Sequence, residues 1–182
     1  MILAALALGC AAGPYGAPDG STIVLRSDLA DNGYIFDLSY NDPDDGIGLL
    51  VKESLVVYSP EDLPMNDILV EVTSGWSAAY VIPVTAVKTV DQYQSECEGD
   101  ASEECRAWFD IGTDSYVEFA GDYEDLGGLK PNYMSGSTDN RGVLDFYTFV
   151  DSIPVDDEGE VLAVPFYASI GVYVASWQYD FE

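Results

Sequence analysis

The residues best placed to do chemistry are Cys97 and Cys105, which close the short acidic loop Glu98-Gly99-Asp100-Ala101-Ser102-Glu103-Glu104. Their spacing is not the Cys-x-x-Cys of a redox pair. Two thiolates without histidine also make a poor zinc site. In an exported protein the pair reads as a disulfide clamping an acidic hairpin tip. The same loop gathers Glu96, Glu98, Asp100, Glu103 and Glu104, which makes Glu98 and Asp100 candidate calcium ligands. A second candidate is Asn41-Asp42-Pro43-Asp44-Asp45-Gly46, where Asp42 and Asp44 approximate the start of a calcium loop and Glu53 falls at its twelfth position. Against it, Ile47 to Glu53 reads as an extended strand. Asp156-Asp157-Glu158-Gly159-Glu160 is a third acidic turn of this kind. The alternative for all three is a solvated turn in an acidic chain, so calcium is the one cofactor left open.

Catalysis finds little to work with. The chain has no histidine, which removes the commonest general base, the commonest transition-metal ligand and the Ser-His-Asp arrangement together. A carboxylate pair could serve glycoside hydrolysis, but among 33 acidic residues some pair always lies at a suitable distance. No catalytic residue is assigned, and a non-enzymatic protein is expected. Trp76 and Trp108, with Tyr80 and Tyr123, could offer stacking faces to a glycan or a protein partner.

The third cysteine ends an apolar run, Met1-Ile2-Leu3-Ala4-Ala5-Leu6-Ala7-Leu8-Gly9-Cys10. An apolar stretch, a small residue and then cysteine is how a bacterial lipoprotein signal ends, with the lipid on the cysteine. The run is too short to span a bilayer and about the right length for a signal core. However, no Lys or Arg precedes Arg26, and Leu8 and Ala7 sit one place away from the usual lipobox. The competing reading keeps the segment and gives Ile2, Leu3, Leu6, Leu8 and Cys10 to contact with another subunit. Residues 14–20, Pro14-Tyr15-Gly16-Ala17-Pro18-Asp19-Gly20, form a breaker-rich tether.

Behind the tether, residues 21–182 are enough for one large domain with a proper core, and 48% hydrophobic content argues against disorder. The balance of 6 basic against 33 acidic residues gives a net charge of −27. That argues against nucleic acid and anionic membrane surfaces as partners, because phosphate binding needs Lys and Arg. A membrane enters only through an N-terminal anchor. Acids spread along the chain with few lysines fit adaptation to high salt, where screening relieves self-repulsion.

The positioning elements read as strands. Period-two alternation or short apolar runs recur at Thr22–Arg26, Tyr34–Tyr40, Gly48–Ser59, Ile68–Thr73, Ala78–Ile82, Val84–Thr89, Ala107–Ile111, Ser115–Ala120, Val143–Asp151, Val161–Ile170 and Val172–Phe181. Between them lie turn sequences such as Asp31-Asn32-Gly33 and Asp139-Asn140-Arg141-Gly142. In the last strand Tyr173, Ala175, Trp177, Tyr179 and Phe181 share one face, expected to be core. Many short strands at this spacing predict an all-β sandwich or barrel.

Three patterns carry a family resemblance. Met65-Asn66-Asp67-Ile68-Leu69-Val70-Glu71-Val72-Thr73-Ser74-Gly75 resembles a strand of bacterial Ig-like domains of the invasin and intimin type. Thr138-Asp139-Asn140-Arg141-Gly142-Val143-Leu144-Asp145-Phe146 resembles their T-D-x-x-G-x-x-x-F turn. Ala163 to Gly171, followed by Val172 to Phe181, resembles their last two strands. The resemblance runs from about residue 48 to the end, interrupted at about 90–135. It implies an Ig-like antiparallel β-sandwich with a disulfide-bearing insertion, in a non-enzymatic module of the cell surface. The partners implied are other copies of itself, joined head to tail into a pilus-like filament, or a surface glycan or protein. The alternative is a monomeric, outer-membrane-anchored lipoprotein acting as a binding module.

Overall fold

A computed structural model describes residues 16–36, 48–84, 105–113, 115–120, 132–150 and 154–182. The fold is built on β3 (Gly48–Tyr58), which is buried along most of its length, Leu50 and Val56 included. Leu49, Val51, Leu55 and Val57 point inward with no exposed surface, and Lys52 points out. Along one flank of β3 runs β9 (Val143–Val150), antiparallel, from Leu49↔Val150 to Val56↔Val143. The other flank is shared. β1 (Thr22–Ser27) pairs antiparallel with its C-terminal half, and β6 (Cys105–Asp110) pairs in parallel with Gly48–Leu50. Beyond β9 lies β5 (Ala79–Pro83), and beyond β6 lies β7 (Ser115–Ala120).

A second sheet has the order β2 (Ile35–Phe36), β11 (Tyr173–Phe181), β10 (Val164–Ile170), β4 (Leu69–Ser74), β8 (Tyr133–Ser137). Its inner face contributes Val70, Val72, Val164, Phe166, Ala168, Ile170 and Tyr179 to one core with the inner face of the first sheet. Phe166 anchors this layer. Its ring stacks on Trp177 at 5.5 Å and meets Tyr179, tilted, at 4.8 Å. The aromatic stripe of the last strand therefore faces inward, as its alternation predicts, while Val174 on the opposite face is 66% exposed.

The all-β expectation holds as a two-sheet sandwich, with differences of detail. Pairing is mostly antiparallel, but β3 with β6 and β11 with β2 are parallel, so the sheets are mixed rather than purely antiparallel. The strand expected from Val161 starts at Val164, because Val161 makes only an isolated bridge to Val155. β8, Tyr133-Met134-Ser135-Gly136-Ser137, carries no alternation legible in sequence. It is a strand because β4 offers it a ladder, with Met134 filling the core. The stretch expected as an insertion supplies β6 and β7 to one sheet and the start of β8 to the other. Among the described residues the helical content is the 3-10 turn Ala30–Asn32 and the 3-10 residue Val84. None of their helices is long and apolar enough to cross a membrane.

Candidate functional site

Two features of this sandwich stand out chemically. The first is a carboxyl in the core. Glu53 occupies the inward stripe of β3 between Val51 and Leu55 and has no exposed surface. Its register partner on β1, Ser27, donates a hydrogen bond to Glu53 Oε1 at 2.8 Å. From the facing sheet the Tyr179 hydroxyl donates to the same oxygen. That hydroxyl also shares a 2.6 Å hydrogen bond with Thr148 Oγ1 on β9. Glu53 Oε2 is buried without a hydrogen-bond partner among the described residues.

Among the described residues no cation contributes to this carboxyl's titration. Burial pushes Glu53 up from 4.5 to about 7, against the pull of the hydrogen bonds from Tyr179 and Ser27, and the Asp28 carboxylate adds to the rise. Burial likewise lifts Tyr179 well above its ordinary value, reinforced by the charge and hydrogen bond of Glu53. Glu53, Thr148 and Tyr179 are all 0% exposed, so this group meets no substrate. It is a polar tie between the two sheets rather than an acid–base pair open to catalysis.

The second feature is an open side of the sandwich. β11 pairs with β10 from Tyr173 to Tyr179 on one side. On its other side it pairs with β2 only through Asp180 and Phe181. Asp180 N donates to Tyr34 O at 3.0 Å, so by strand alternation Val174, Ser176 and Gln178 turn their backbone groups to that same side. The stretch Tyr173–Gln178 has no strand neighbour there among the described residues. Across the opening lies β1, whose described pairing is to β3 alone. Between the two strands is a cavity of about 260 Å3 lined by Ser21, Thr22, Ile23, Tyr173, Val174 and Ala175. The tether is fixed at its mouth. Gly20 N donates to the Tyr173 hydroxyl at 3.0 Å, and that hydroxyl donates to Asp19 Oδ1 at 3.2 Å. Ala17 packs against the core.

The residues singled out in sequence fall differently. Trp76 is half-buried and packs on the core with its indole nitrogen enclosed, so it presents less of a stacking face than its sequence context suggests. Trp108 lies within β6, where its backbone partners are Gly48 and Val117. Cys105 opens β6 opposite Ala120, while Cys97 lies outside the described residues. Ile2, Leu3, Leu6, Leu8, Cys10, Asp42, Asp44, Glu98 and Asp100 also lie outside them. Glu53, counted above as a twelfth-position calcium ligand, instead spends one carboxyl oxygen on Ser27 and Tyr179 inside the core. Among the described residues no group of three or more acids or cysteines is placed to hold a metal.

The acidic turns have a structural use. Asp139 Oδ1 accepts from Arg141 N at 2.8 Å and Val143 N at 2.9 Å, and Gly142 takes a φ of 75°. Hydrogen bonds from the Val143 amide and from Arg141 hold the Asp139 carboxyl below its ordinary value. Asp156 repeats the arrangement with Glu158 N at 2.8 Å, Glu160 N at 2.9 Å and Gly159 at φ 85°. Both carboxylates are used by their own loop backbone. The buried carboxyl was missed because a lone Glu in a strand pattern carries no sign of its depth. The open edge was missed because it depends on which strands become neighbours. Comparison with protein-family models, curated proteins and solved structures finds no match to this chain.

Proposed function

We propose that the chain is a non-enzymatic structural or adhesive module of the cell surface. In this reading it is an Ig-like sandwich whose copies join head to tail through the apolar N-terminal segment. One observation carries the proposal. In a chain that is 21% charged, the open side of the sandwich is uncharged, both along Thr22–Leu25 and along Val172–Gln178. Natural edge strands are normally protected by charge, proline or a covering element. Among the described residues no strand pairs with the β11 edge along Tyr173–Gln178, and an apolar edge of this kind in so acidic a protein is suited to being covered. Met1–Ala12 is equally free of charge. Head-to-tail contact of this kind does not close on itself and builds fibres.

The test compares full-length chain with its Leu3→Asp/Leu6→Asp variant by light scattering and electron microscopy. The wild type is expected to form elongated assemblies and the variant to remain monomeric. Equal assembly by both would refute the role of the segment. A lipid found by mass spectrometry on an N-terminal Cys10 would replace this reading with that of an anchored lipoprotein. The same spectrum, taken with and without reduction, tests the proposed Cys97–Cys105 disulfide.

A specific observation favours a second reading, a glycan-binding module. On the outer face of the second sheet Tyr167, Thr73 and Tyr133 stand in one cross-strand row, with the two tyrosines 43% and 44% exposed. Glycan-array binding that disappears in Tyr167→Ala and Tyr133→Ala would support it. Absence of binding to every glycan would remove it.

A further inference from the structure

We propose that the outer face of the second sheet is a platform for one extended, uncharged β-1,4-linked polysaccharide chain, laid across Tyr167 and Tyr133 and over Thr73. This rests on the glycan-binding reading and names the class of glycan.

The register builds the platform. Val70, Val72, Phe166 and Ala168 turn into the core, so their neighbours along β4 and β10 turn outward. One outward row is Ser176, Tyr167, Thr73 and Tyr133, and the next is Val174, Ser169, Glu71 and Ser135. Both tyrosines lean over β4, from opposite flanks and on opposite sides of Thr73. The Tyr133 hydroxyl donates to Glu71 Oε1 at 2.9 Å, which holds that ring toward Glu71. Tyr167 reaches the other way, to Gly75, where an added Cβ would stand 3.4 Å from Tyr167 Cε2. The absent side chain at Gly75 leaves this ring its place on the sheet. Two aromatic surfaces result, with a hydroxyl between them.

The chemistry of the face selects the ligand. A pyranose ring offers C–H groups on its faces and hydroxyls around its rim. Aromatic rings suit the first, and the hydroxyls of Thr73, Ser135, Ser169 and Ser176 suit the second, as donors and acceptors both. Glu71 adds an acceptor for sugar hydroxyls, as it already accepts from Tyr133. The two tyrosines stand on strands two places apart, about 10 Å. One sugar is too small to lie on both, so the ligand is a chain. A β-1,4-linked chain is an extended ribbon that lies along a sheet surface, whereas an α-1,4-linked chain coils away from it. Charge sets the last condition. None of β4, β8, β10 and β11 contains a Lys or Arg. With no cation on these strands and a net charge of −27, the face repels uronate and sulfated chains and admits neutral ones.

The experiment is calorimetric titration of the full chain with cellohexaose and with chitohexaose, against their disaccharides, maltohexaose and polygalacturonate. At least one of the two hexasaccharides is expected to bind, at least roughly tenfold tighter than its disaccharide, because only the longer chain reaches both rings. Tyr167→Ala and Tyr133→Ala, both at exposed positions, are each expected to weaken that binding at least roughly tenfold, while Tyr167→Phe keeps the ring and the affinity. Thr73→Arg fills the space between the rings and is expected to abolish binding with both tyrosines in place. It decides the matter should a truncation fail to fold. Equal affinity for hexasaccharide and disaccharide, or binding only to maltohexaose, polygalacturonate or other glycans of an array, overturns the extended neutral chain and leaves the glycan-binding reading. Hexasaccharide binding unchanged by these substitutions overturns the platform. A dimer that Tyr167→Ala separates gives the face to a second copy and overturns it too. Absence of binding to every glycan removes the glycan-binding reading itself, and this inference with it.

Discussion

Replacing Glu53 by glutamine should make the protein more stable at alkaline pH and leave it little changed at acidic pH. The folded state holds the Glu53 proton up to about pH 7, against 4.5 for the ordinary carboxyl. Below 4.5 both states are protonated and the buried carboxyl costs nothing extra. Between 4.5 and 7 the unfolded chain has released its proton and the folded chain has not, so stability falls as pH rises. Above 7 the loss is complete. At about 1.4 kcal/mol per pH unit, this window amounts to roughly 3 kcal/mol. Self-repulsion of the other carboxylates lowers stability over the same range, so the informative quantity is the difference between variant and wild type. Glutamine keeps an oxygen for Ser27 and Tyr179. Its amide group meets the same unpartnered surroundings as Oε2, an offset common to every pH. Urea unfolding at pH 4.5 and pH 8 in fixed salt reads the difference directly. For a domain of this size the gain at pH 8 corresponds to a melting point higher by roughly 6–12 °C. A difference between variant and wild type that does not change with pH, or that grows less favourable to glutamine at pH 8, would refute the reasoning.

Further outcomes follow from other parts of the fold. Phe166→Ala empties the ring site between Trp177 and Tyr179 and should cost about 3–5 kcal/mol in denaturant unfolding, with no rescue by salt. Gly142→Ala should destabilise by more than about 1 kcal/mol. Its φ of 75° suits glycine, and a Cβ there would stand 2.8 Å from Met65 N and from Pro64 Cβ. Melting temperature should rise from low to molar concentrations of an inert salt, because screening relieves the repulsion of a −27 chain. A flat profile would contradict that reading of the acidity.

Much of the sandwich was legible in residue order. β1, β3, β7, β9 and β11 lie close to their expected spans because apolar alternation sets which side chains must leave water, whatever the neighbours. The last strand is the clearest case, since its aromatic face becomes core. β8 was illegible for the converse reason: Tyr133-Met134-Ser135-Gly136-Ser137 has one buried apolar residue and becomes a strand only because β4 is beside it. Asp139 and Asp156 were seen as turn acids. That each would accept two backbone N–H groups needed the closed loop.

The sequence by itself determined the layered all-β character, the inward aromatic face of the final strand and the net charge of −27. These are properties of local periodicity and of summed charge, and both are carried by residue identity alone. Only the tertiary structure decided that Glu53 lies under Tyr179, and that the β11 edge along Tyr173–Gln178 has no strand neighbour among the described residues. Those facts depend on which strands pair and in what register, and a shift of one residue would turn Glu53 outward to water.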